Sequence, residues 1–103
     1  MLSMLRYWDF QNVDNEGLVE YENGCIDLLK NINRQEERLA DMIDEALLLS
    51  NFELAFECKY LYKECVDNEM EVLTSLIQLQ DVFKERGLVS LTLEDILKVV
   101  ACA

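Results

Sequence analysis

The chain has 103 residues, 51% of them apolar, with 9 basic residues, 21 acidic ones and no histidine. A net charge of −12 sets it against direct contact with nucleic acids or anionic membrane surfaces, whose phosphates attract clusters of Lys and Arg. The length allows one domain with a modest core, and the apolar content is too high for a disordered tail.

Proline is absent, and the only glycines are Gly17, Gly24 and Gly87. Both residue types break helices and shape turns, so a chain nearly without them predicts an all-α fold of long, uninterrupted helices. The opening segment, residues 1–13, contains Leu2, Leu5, Tyr7, Trp8 and Phe10. A cluster this rich in aromatics is expected to pack, although the sequence leaves its conformation open. Met1 to Phe10 is too short and polar for the apolar stretch of a signal peptide, and no later run reaches membrane-span length. The expected location is therefore cytoplasmic, with reduced cysteines.

The first long helix is predicted over Asn15–Leu49. Leu18, Tyr21, Cys25, Leu28, Ile32, Leu39, Met42, Ala46 and Leu49 recur three and four apart, with a gap at Gln35, and Leu29 and Ile43 widen the stripe. Gly17 and Gly24 each cost about 1 kcal/mol inside a helix, which would move the start toward Cys25. Ser50 and Glu53 have the form of a capping box, so a tight turn is expected there, giving an antiparallel hairpin rather than one continuous helix.

The second helix is predicted over Asn51–Arg86. Leu54, Cys58, Leu61, Cys65, Val72, Leu76, Leu79 and Phe83 form its stripe, and Asn68 interrupts it. Lys84 and Arg86 complement the helix dipole, and Gly87 marks the stop. A short helix over residues 92–101 follows, with Thr92 and Asp95 as a cap-like pair and Ile96, Leu97 and Val100 on one apolar face. The stretch Asn51-Phe52-Glu53-Leu54-Ala55 resembles the start of a tetratricopeptide-repeat helix over a single turn. No second copy follows at that family's repeat length, so the resemblance supports helix-turn-helix geometry only.

No catalytic, cofactor or metal motif emerges. Without histidine the commonest general base and zinc partner are missing, and Cys25, Cys58, Cys65 and Cys102 have no close C-x2-4-C spacing. Cys58 and Cys65 lie about 10 Å apart along one helix, too far to bridge. Carboxylate pairs such as Glu36-Glu37 and Asp44-Glu45 fall on a polar face interleaved with Arg34 and Arg38, where a solvated surface is the ordinary reading. The expectation is a protein without enzymatic activity or cofactor.

What exceeds its ordinary reading is the apolar stripe. The ordinary reading is a self-contained three-helix monomer, but a two-helix hairpin covers only one side of each helix. The excess predicts association: a homodimer forming a four-helix-type bundle, or a heterologous protein partner. The expected contact residues are Leu28, Ile32, Leu39, Met42, Ile43, Leu61, Val72, Leu76, Leu79, Phe83, Ile96 and Val100. The corresponding function is an adaptor, a secretion or assembly chaperone, or an inhibitor, and a small acidic helical chain resembles in general character the chaperones of bacterial secretion substrates. The alternative is an acidic mimic of nucleic acid that would block the basic groove of a DNA- or RNA-binding protein through Glu53, Glu57, Glu64, Asp67 and Glu71.

Overall fold

Two long helices run side by side in a computed structural model that describes residues 3–102. Met1, Leu2 and Ala103 lie outside the described residues, and with them the Leu2 of the predicted aromatic segment. The order is α1 (Tyr7–Phe10), α2 (Asn15–Leu48), α3 (Phe52–Glu85) and α4 (Leu93–Ala101), with no strand among the described residues. The molecule measures 55 × 26 × 16 Å, so its length is set by the hairpin of α2 and α3.

Local chemistry explains where the helices start and stop. Asp14 caps α2 by accepting a hydrogen bond from the Gly17 N–H at 2.7 Å. The helix therefore begins ten residues ahead of Cys25 and absorbs both glycines. A Cβ at Gly17 would lie 2.7 Å from the Val13 side chain and 2.8 Å from the capping Oδ1 of Asp14, so a larger residue there would make one of these side chains shift.

The hairpin turn differs from its sequence reading. Ser50 and Glu53 form no capping box. Ser50 instead takes a left-handed conformation (φ 54°) and closes α2 as a Schellman motif. Its N–H donates to Leu47 O at 3.1 Å, and the Asn51 N–H donates to Ala46 O at 2.8 Å. Asn51 then caps α3, its Oδ1 accepting from the Leu54 N–H. The same motif ends α3, where Gly87 (φ 68°) occupies the left-handed position and Leu88 N–H donates to Phe83 O at 2.9 Å. Thr92 caps α4 by accepting from the Asp95 N–H at 3.1 Å.

The core fills one end of the hairpin. There Leu18, Cys25, Ile26, Leu29 and Ile32 of α2 meet Val72, Leu76, Leu79, Val82 and Phe83 of α3. Two further layers seal this end. α4 packs on α2 and inserts Ile96 and Val100. The N-terminal segment packs on α3 through α1 and buries Phe10, whose ring meets Tyr21 edge-on at 5.2 Å. Hydrogen bonds pin the segment along its length. Arg86 donates to the carbonyls of Phe10 and Val13, Ser75 donates to Leu5 O, and Arg6 pairs with Glu71 at 2.6 Å. Glu22 is buried here with its Oε2 unpartnered among the described residues, and burial pushes its pKa up.

Beyond Ile32 and Val72 the seam turns polar. Cys65 Sγ faces Gln35 Oε1, and the Glu36 carboxyl faces that of Glu69 across the two helices. Two carboxyls sharing a contact with no cation between them need a proton. Desolvation, reinforced by the hydrogen bond and charge of Glu69, raises Glu36 to about 7. Farther out, the buried residues are small: Ala46, Ala55 and Cys58. The distal half is two helices thick and nearly coreless.

Two outcomes follow. Ser50→Gly should raise stability by about 0.5–1 kcal/mol in a denaturant titration, because glycine takes the left-handed position without a Cβ penalty; an unchanged or lower midpoint would refute the turn geometry. Glu36 is a carboxyl whose folded pKa lies above its unfolded value. Its stabilising contribution is therefore complete below about 4.5 and lost as pH rises through about 7. Glu36→Gln should stabilise the chain at pH 8 by on the order of 1 kcal/mol, discounted for the solvent that reaches the group, and by much less at pH 5. Equal increments at both pH values would show that the two carboxyls do not share a proton.

Candidate functional site

The twelve residues predicted to face a partner divide sharply. Ile32, Val72, Leu76, Leu79, Phe83, Ile96 and Val100 are buried by the chain itself. They belong to the core of the proximal end, where α2 and α3 pack on each other and α4 and the N-terminal segment add two further layers. Leu28, Leu39 and Ile43 are half-buried along the seam, and Met42 and Leu61 are exposed.

The apolar excess is real but sits elsewhere. It gathers at the hairpin tip and on the outward face of α3, where neither α1 nor α4 reaches. Leu48 is 86% exposed, Leu49 72%, Phe52 67%, Phe56 75% and Tyr60 62%. Leu47, Leu54 and Leu61 add to the same end. Exposed apolar residues occur in any protein, and Trp8 (78%) and Val89 (99%) are exposed at the other end here, but large ones recur most densely between Leu47 and Leu61. A recess of about 170 Å3 lined by Met42, Ala46, Leu49 and Leu54 indents the tip.

Helical spacing orders the aromatic part. Phe52, Phe56 and Tyr60 stand at i, i+4 and i+8, so they form one ridge about 12 Å long. At 100° per residue this ridge lies opposite Cys58, Cys65 and Leu76, which face α2. The signal was present in the sequence as a second apolar row on the outward side of α3. The stronger inward stripe overshadowed it.

The acidic row of the alternative reading is largely on the surface. Glu53, Glu57, Glu64 and Asp67 are exposed, whereas Glu71 is half-buried and held by Arg6. Phe56 and Tyr60 stand beside Glu53, Glu57 and Glu64 on the helix surface, and Lys59 and Lys63 border the other side of the ridge. Acidic and apolar groups thus belong to one mixed surface. Across residues 41–64 there are six acidic residues and two lysines, so the whole tip is negative.

Other chemistry is sparse among the described residues. No three His, Cys, Asp or Glu side chains stand where they could hold a metal ion. Cys25, Cys58 and Cys65 are buried free thiols, and Cys102 is exposed. Burial pushes Cys25 up to about 11, which keeps it a protonated thiol rather than a nucleophile. A recess of about 300 Å3 between α2, α3 and α4 is bordered by Leu29, Asn33, Glu37 and Glu69 and contains no convergent acid-base pair with a nucleophile. No helix among the described residues is long and apolar enough to cross a membrane. Comparison with known proteins places no relative beside this chain: no family model, no curated protein and no solved structure matches it.

Proposed function

We propose that this chain is a non-enzymatic protein-interaction module, an adaptor, assembly chaperone or inhibitor that docks by the distal half of its helical hairpin. One observation carries the reading. Two extra layers cover the proximal core, where Trp8 and Val89 are the large apolar side chains more than 60% exposed among the described residues, while between Leu48 and Tyr60 five such side chains gather in thirteen residues. A few hundred Å2 of apolar surface is worth several kcal/mol on association at about 25 cal/mol per Å2, enough to sustain a specific contact. The sealed base acts as a rigid anchor for a thin projecting tip. A negative surface on a chain of charge −12 also suits a protein partner better than a phosphate backbone.

The nucleic-acid mimic is supported less well. A mimic needs a continuous charged face, and here an aromatic ridge runs along one side of the acidic row and Glu71 is paired with Arg6. A homodimer through the tip is the other form of the interaction reading, and it draws on the same exposed residues.

Site-specific photocrosslinking in the producing cell tests the proposal. A photoreactive side chain at Phe56 should yield a discrete higher-mass adduct, whereas the same group at Asp27, exposed on the sealed half, should yield none. Adducts absent from both positions, or equal at both, would remove the basis for a docking tip.

A further inference from the structure

The interaction reading leaves open what covers the tip, and the outward face of α3 limits the choice. Phe52, Phe56 and Tyr60 protrude at intervals of about 6 Å, the repeat of residues four apart on any helix. Such a row forms a ridge that fits the groove between side-chain rows of a second helix. Its two borders carry opposite charge. Glu53, Glu57 and Glu64 line one side, and Lys59 and Lys63 the other.

We infer that this ridge receives an amphipathic helix of a different protein, one whose apolar stripe is edged by Lys or Arg where it meets Glu53, Glu57 and Glu64. The inference rests on the interaction reading above and adds the class of partner. Complementary charge along the edge fixes the direction of the incoming helix and speeds its capture by a strongly negative chain. A second copy is a poorer occupant. Antiparallel two-fold pairing of the ridge with itself keeps each border on its own side, so the three glutamates of one copy would meet the same three of the other, and parallel pairing, which sets glutamate against lysine, lays two whole acidic chains side by side. Each copy also brings a charge of −12.

The test uses the full chain and a synthetic probe of known chemistry. The probe is a fluorescent amphipathic peptide of about 18 residues, five helical turns, with a leucine stripe edged by lysine on one side and glutamine on the other, compared with a counterpart bearing glutamate in place of the lysine. By anisotropy, the lysine peptide should bind at least about tenfold more tightly than the glutamate peptide, and Phe56→Asp should weaken it by about tenfold or more. The triple variant Glu53→Lys, Glu57→Lys, Glu64→Lys should reverse the preference. Glu16→Lys, Glu20→Lys, Asp27→Lys, the same change in charge placed on α2 of the sealed half, should retain it. Equal weakening by both triple variants would mean attraction by bulk charge only and overturn the inference. Phe56→Asp binding as well as the parent would overturn it too. So would a dimer in sedimentation that Phe56→Asp dissociates, because the occupant would then be a second copy. A lysine peptide that fails to bind while crosslinks still form at position 56 would defeat the partner class alone and leave the interaction reading standing.

Discussion

A pair of antiparallel helices can bury one stripe from each partner, and every further apolar residue must be covered by something else. That limit organises this protein. At the base the chain supplies the missing cover from its own ends, with α4 on α2 and the N-terminal segment on α3. The large buried side chains, Phe10, Leu18, Leu76, Leu79, Phe83 and Ile96, all belong to this three-layered region. Past the polar layer of Gln35, Glu36 and Glu69, no third layer remains, and the fully buried residues are alanine and cysteine, with Leu39 and Ile43 half-buried along the seam. Stability and exposure are thus separated along a single rod.

Much of this architecture was legible in the residues. The proximal halves of the two stripes, the break at Gln35, the Thr92 cap and the Gly87 stop each have a direct physical signature, and each has a counterpart in the structure, whereas Leu49, Leu54 and Leu61 of the stripes are exposed. The hairpin turn was harder to read because the left-handed position at its centre holds Ser50 rather than the usual glycine. The cap-like spacing of Ser50 and Glu53 then suggested a capping box where a Schellman closure forms. At Gly17, the helix penalty of glycine did not move the start, because Asp14 caps the helix by accepting from the Gly17 N–H.

The candidate surface was legible only in part. Counting apolar residues revealed an excess over what a hairpin can hide, but not where it would remain. Leu76 belongs to the periodic stripe that faces α2, whereas the burial of Phe10, Ile96 and Val100 depends on where two short terminal segments dock, a long-range matter that periodicity does not encode. The aromatic ridge could have been found by asking which apolar residues fall opposite the main stripe. Its mixture with Glu53, Glu57 and Glu64 also joins two readings that composition kept apart, an apolar docking face and an acidic one.

The account stands on the division between a sealed base and an uncovered tip, and amide hydrogen exchange on the isolated monomer measures that division directly. Amides of residues 72–83 should exchange only through global unfolding, while those of residues 44–58 should open locally and exchange roughly a hundredfold faster or more. Uniform protection from the base of both helices to the turn would contradict it, because the tip would then be as firmly held as the core.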